Sequence, residues 1–203
     1  MYSATTFSGS HTAKVKRAPR APLAWRVRNA LRWSFIRGWV ANRIAVLFSF
    51  FTGIPTLTAQ LDIRLIKANG QIVNYGTVGY RVVTTAFVNF LVDQLQAEDT
   101  TIGDFKFHDS GVGTTAEAVG DTDIETTDGE SRATGTQTEG ASANIYKSVG
   151  TIAYTTTKAI TEHGLFNAST AGTLMDRTVF SAINVGNGDS IEHTYQLTCN
   201  SGG

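Results

Sequence analysis

The chain offers four histidines and one cysteine for catalysis or metal binding, so their neighbours decide what chemistry is open to it. His108 is followed by Asp109, and Glu162 by His163. A carboxylate beside an imidazole can orient it as a general base. Successive residues on a strand point to opposite faces, however, so neither pair forms a dyad by itself. His193 and Cys199 stand six positions apart. On an extended chain that is about 20 Å, too far for a thiolate–imidazole pair, and Cys199 is expected to be an inert small hydrophobe. A lone cysteine also excludes an intrachain disulfide and a multi-cysteine zinc site.

Two loop motifs invite cofactors. Gly111-Val112-Gly113-Thr114-Thr115-Ala116 fits the loose glycine pattern of dinucleotide-binding turns, which need a helix directly afterwards to meet the pyrophosphate. Gly120 and the polar run to Gly129 deny that helix, so a tight turn between strands is expected. Asp121, Asp123 and Glu125 are spaced like the start of a calcium loop, but its sixth position, which requires glycine, is Thr126. A solvated acidic loop is the expectation there. No catalytic, cofactor-binding or metal-ligating residue is assigned, and the chain is read as non-enzymatic and without a cofactor.

The elements that carry these residues follow from how the 203-residue sequence is divided. Seventeen bases balance seventeen acids, yet residues 1–43 hold nine bases and no acid, leaving the remainder with a net charge of −9. All three Trp and all three Pro lie within the first 55 residues, whereas 18 of the 20 Gly fall from Gly53 onwards. Residues 1–56 are therefore read as a basic, Trp-rich interaction arm and residues 57–203 as an acidic β-domain.

The arm is read as extended or partly helical: residues 23–51 have helix-compatible length without a proline, and Pro22 suits a first turn. At about 100° per residue, Trp25, Val27, Leu31, Trp33 and Ile36 spread round the whole circumference, as do the arginines. Such a segment calls for protein or lipid on several sides. The apolar run 44–54 falls short of the ~20 residues needed to span a bilayer, so spanning is not expected. Interleaved Arg and aromatics suit nucleic acid, but no recognisable motif accompanies them and the body is acidic, so nucleic acid is not expected either. The preferred reading is an arm that docks on neighbouring protein subunits through Trp25, Arg26, Arg28, Arg32, Trp33, Arg37, Trp39 and Arg43, since Trp and Arg dominate protein hot spots. A membrane-tethered surface module anchored by residues 39–55 is the alternative from another class.

The body is read as mainly β, an antiparallel sandwich with one packed helix. Leu57, Ala59, Leu61, Ile63 and Leu65 alternate with polar residues, and Asn69-Gly70 then turns the chain into a second strand over 71–80. Val83, Phe87, Phe90, Leu91 and Leu95 recur at helical spacing, predicting a helix over 84–97 capped by Thr84 or Thr85. A short strand is expected over 102–107. The acid-rich stretch 109–144 has little to bury and is expected as surface loops or edge strands. Strands over 145–155, 159–166, 174–183 and 190–198 complete the sandwich.

Residues 102–200 resemble a β-module of tailed-bacteriophage virion structural proteins. The likeness rests on Phe107-His108-Asp109-Ser110-Gly111, on Gly113-Thr114-Thr115-Ala116 with Gly120-Asp121-Thr122, and on Ile160-Thr161-Glu162-His163-Gly164-Leu165-Phe166. It continues through Gly172-Thr173-Leu174, Asp176-Arg177-Thr178-Val179-Phe180 and Gly188-Asp189-Ser190-Ile191. Similar wording occurs in tail-fibre, collar and head-decoration modules, and it covers about half the chain. The resemblance implies a non-enzymatic structural role in the virion. The expectation is a capsid decoration or cement protein, a homo-oligomer with a trimer favoured, whose partners are the major capsid protein or other virion proteins. A neck, collar or tail-fibre component is the alternative within the same class.

Overall fold

A computed structural model describes residues 18–80, 82–95 and 104–201. Two helices come first, α1 (Leu23–Ala30) and α2 (Trp33–Thr52). Strands β1 (Thr56–Ile66), β2 (Ile72–Tyr80) and β3 (Val82–Val83) lead to helix α3 (Thr85–Leu95). The rest is β: β4 (Phe107–Gly111), β5 (Ala133–Thr134), β6 (Thr136–Glu139), β7 (Ile145–Ala153), β8 (Lys158–Phe166), β9 (Leu174–Val185) and β10 (Ser190–Asn200). They form two antiparallel sheets of order β2-β1-β10-β7-β6 and β3-β9-β8-β4-β5. The fold is the expected mainly-β sandwich with a packed helix and a partly helical arm.

Alternation places Leu61, Ile63 and Leu65 of β1 inside, where they meet Phe180 and Ile183 of β9 and Ile191 of β10. The β1–β2 turn closes at Gly70, whose φ of +80° suits a residue without Cβ, while the Asn69 side chain accepts from the Gln71 amide at 3.0 Å. Helix α3 begins where the Thr84 hydroxyl accepts the Phe87 amide at 3.2 Å, a first-turn cap. Its Phe87 and Phe90 stand edge-on to Phe105, each with ring centroids 5.0 Å apart, in a second apolar cluster with Met175, Tyr195 and Leu197.

Three expectations need correction or limits. The strand expected over 102–107 instead begins at Phe107 and runs to Gly111, because Phe105 turns away to pack under α3. Residues 96–97 of the expected helix and 102–103 of that strand lie outside the described residues. Cys199 is exposed near the end of β10, so it is not an interior hydrophobe. The partly helical arm is as expected, its two helices separated at Leu31 and Arg32, where Arg32 is extended (φ −63°, ψ 135°).

Phe105 is 1% exposed and contacts both α3 rings, so Phe105→Ala should lower stability by about 3–5 kcal/mol in chemical denaturation. An unchanged denaturation midpoint would mean that α3 adds nothing to the core.

Candidate partner interface

The arm is fastened to its own domain through sheet edges. Strand β2 is the outer strand of one sheet, and β3 covers β9 only at Asp176 and Arg177, so β9 is open around Ser181. Open edges present unpaired amides and carbonyls that must find partners. Side chains of α1 supply them. Asn29, 2% exposed, donates from Nδ2 to the Val78 carbonyl on β2 and accepts the Ser181 amide of β9 at Oδ1, both at 2.8 Å. Trp25 donates Nε1 to the Ser181 and Ala182 carbonyls at 3.0 and 2.9 Å, and its ring meets Tyr75 edge-on at 4.6 Å. Arg32 donates to the Phe180 carbonyl at 3.0 Å. Ahead of α1, Pro19 and Ala21 exchange backbone bonds with Asn74, extending the cover along β2.

Helix α2 continues with the same polarity. Apart from Phe35, whose ring meets Tyr80 of β2 edge-on at 5.3 Å, the residues it turns towards β1 and β2 are small or polar: Ser34, Gly38, Asn42, Ala45 and Ser49, at steps of three and four. Asn42 donates to the Ala59 carbonyl at 3.1 Å, and Ser49 to the Ser201 carbonyl at 3.2 Å. A Cβ at Gly38 would lie 2.5 Å from the Tyr80 carbonyl oxygen, so only glycine permits this approach. The helix ends on Gly53 (φ +71°), whose amide bonds the Ser49 carbonyl, with Pro55 shortly after.

The other large apolar side chains of α2 therefore point away from the domain. Trp33, Ile36, Val40, Ile44, Leu47 and Phe51 form one row at steps of three and four, with Trp33 73% and Phe51 78% exposed. Trp39, Phe48 and Phe50 flank it, all exposed. No acid occurs between residues 18 and 61, and Arg37 and Arg43 lie beside the row, the Arg43 guanidinium 5.8 Å from the Trp39 ring centre. A monomeric protein rarely exposes an apolar row of this extent.

The eight residues expected to bind a partner thus divide. Trp25 and Arg32 are engaged within the chain, while Arg26, Arg28, Trp33, Arg37, Trp39 and Arg43 are exposed, Arg37 also donating to the Glu117 carbonyl at 3.2 Å. Lys14, Lys16 and Arg17 lie outside the described residues. Among the described residues no helix is long and apolar enough to cross a membrane.

The residues first considered for chemistry are sorted by strand alternation. His108 and His163 point inwards and Asp109 and Glu162 outwards, so each adjacent pair is split. The histidines meet each other instead: His108 Nδ1 lies 2.9 Å from His163 Nε2, and His108 Nε2 lies 2.8 Å from the Ser148 hydroxyl of the opposite sheet. His193 of β10 stacks on His163 with centroids 4.5 Å apart. All three rings are fully buried, and Gly150 makes room for them, since a Cβ there would collide with His108. Sequence reading missed this cluster. The inward parity of three histidines on three strands was the signal that could have found it.

The outward carboxylates are bound by arginine. Arg177 meets Glu162 at 2.7 Å, Asp121 at 3.1 Å and Glu125 at 3.4 Å, and Glu162 also accepts the amides of Gly113, Glu125 and Thr126. Arg132 meets Asp109 at 2.8 Å and lies 3.4 Å over the Phe166 ring. The acidic stretch is thus no freely solvated loop but a folded cover on the second sheet, with residues 111–116 wrapped round a carboxylate. Burial pushes the Asp109 and Glu117 carboxyls above their ordinary values. Lys158 and Thr155 hold Glu130 down to about 2. Among the described residues no group of three or more His, Cys, Asp or Glu could hold a metal ion.

Compared with known proteins, the chain matches no family model, no curated protein and no solved structure.

Asn29→Ala orphans the Val78 carbonyl and Ser181 amide, and should cost about 1–3 kcal/mol in denaturation. Glu130→Gln tests the loop by pH. Glu130 has a lowered folded pKa, so its stabilisation is complete above about 4.5 and fades as pH falls to about 2. The gap in Tm between native and Glu130→Gln proteins should be widest near neutrality and close towards pH 2.

Proposed function

We propose that this chain is a non-enzymatic virion structural protein, a capsid decoration or cement protein that seats its cationic, apolar arm on neighbouring subunits. The observation that carries the reading is the outward row of α2, held on a domain whose β2 and β9 edges are already satisfied. A row that adds nothing to its own core is explained by a partner. The motif likeness of residues 102–200 supports the virion setting, with the major capsid protein or another virion protein as the partner. The sandwich suits a module that stands on a surface, and its folded acidic cover limits loose loops exposed to proteolysis.

Quantitative mass spectrometry of purified particles from the phage that encodes the chain tests this reading. Decoration requires hundreds of copies per particle, a dozen or fewer moves the protein to neck or tail, and absence overturns the reading. In the same particles, Ile44→Glu/Leu47→Glu should abolish attachment while leaving Tm within about 2 °C, as expected for surface positions. Sedimentation with protein-free liposomes would instead support the membrane-tethered alternative.

A further inference from the structure

The described residues carry a second exposed helical row. Helix α3 buries Phe87 and Phe90 and leaves Val88, Val92 and Leu95 exposed at steps of four and three, Leu95 by 87%. Asp93 is exposed on the same helix, which contains no base. Apart from the arm, the exposed large apolar residues of the described body are otherwise only Leu57, Val112 and Val119, which form no row. The two rows are opposite in charge, Arg37 and Arg43 accompanying α2 and Asp93 accompanying α3. Both stand exposed in the single chain, so neither covers the other.

We infer that α2 of one copy packs across α3 of the next, row against row, making a head-to-tail homo-oligomer. The inference rests on the reading of the arm as a partner interface and names a second copy as the occupant of part of the α2 row, the remainder being left for the virion partner. Residues at steps of three and four make the ridges and grooves by which helices interlock. Charge decides between pairings. An α2–α2 contact sets arginines against arginines, whereas α2 on α3 sets them near Asp93. The same polarity holds for the whole chain, with nine uncompensated bases in residues 1–43 and a net of −9 in the remainder. At 20 residues α2 is about 30 Å long, and the 11 residues of α3 make about 16 Å, so one helix crosses part of the other. Unlike patches on each subunit make a heterologous contact, which closes into a ring when the rotation permits.

Sedimentation velocity on the full chain tests this, comparing the native protein with Ile44→Glu (α2 row) and Val92→Glu (α3 row), each checked for native far-UV circular dichroism and Tm. The native chain should oligomerise at low salt and dissociate as salt rises. Each variant alone should be monomeric. An equal mixture should form dimers and nothing larger, because each variant keeps one good row. Asp93→Lys, which leaves both rows intact, should weaken association and reduce its salt dependence. A native chain that stays monomeric, or a Val92→Glu variant that assembles like the native chain, overturns the inference. These results are separable from those on particles. Particle attachment by a monomeric native chain overturns the head-to-tail contact alone, and head-to-tail assembly without particle incorporation overturns the virion reading alone.

Discussion

The architecture depends on how two open sheet edges are satisfied. Strand β2 ends one sheet and β9 is uncovered beyond Arg177, so backbone groups of both face the same gap. Asn29 closes it with one side chain that donates to one sheet and accepts from the other. Trp25 and Arg32 extend the same solution along β9. A helix covering an apolar sheet face turns its own apolar stripe inwards. A helix covering an edge must instead bring donors and acceptors, and α1 does so. The inner face of α2, polar or small except for Phe35 against Tyr80, follows from the same demand, and its exposed apolar row is a consequence of serving an edge first. Edge cover of this kind also removes the template for uncontrolled strand addition.

Between the sheets lies a second polar device. Histidines from β4, β8 and β10 gather with Ser148 where a β-sandwich ordinarily packs aliphatic side chains. Polar groups sequestered from water demand partners, and partners fix geometry more narrowly than apolar contact does. The cluster therefore sets the register of one sheet against the other, while Leu61, Ile63 and Phe180 supply bulk burial. On the outer face of the second sheet, Arg177 and Arg132 play the corresponding part for the loop. A buried pair such as Arg177 with Glu162 gives little net stability once desolvation is counted, but it dictates one conformation. Three backbone amides converge on Glu162, and that explains an ordered cover built from so few apolar residues.

Much of the fold was legible because its signals are local. The alternation from Leu57 to Leu65, the Asn69-Gly70 turn, the Thr84 cap and the final strands all act within a few residues. What was not legible depends on the surroundings. Periodicity reveals that faces differ but not what they confront, so the arm read as apolar all round although Ser34, Gly38, Asn42 and Ser49 form a distinct inner face. The break at Leu31 and Arg32 has no glycine or proline to announce it; Arg32 leaves the helix where its side chain meets the Phe180 carbonyl. Arg177 looked like any charged residue in a strand, and its three carboxylate partners lie 15 to 56 residues away in sequence. The expected partner residues were legible by type. Their division into inner fasteners and outer contacts was not, since it depends on Trp25 of α1 facing the sheets and Trp33 of α2 facing away from them.

That division bears on how strongly the arm can bind. A flexible segment that orders on docking gives up much of its interaction energy to lost conformational freedom, whereas a row fixed beforehand does not. Trp25, Asn29 and Arg32 hold the root of the arm with bonds to two sheets, and Asn42 and Ser49 hold α2 along its length. The outer row is thus held in place on the domain within the single chain. Its side chains span two turns on either side of Val40 and Ile44, so contact along it adds up without further ordering of the backbone. On the proposed reading, the cations beside the row would draw an acidic partner from a distance within the screening length, and the apolar side chains would then supply short-range attraction. On that reading, fastening by the inner face and recognition by the apolar face are two halves of one arrangement, and a substitution on the inner face would weaken binding through the outer one by loosening the helix that carries it.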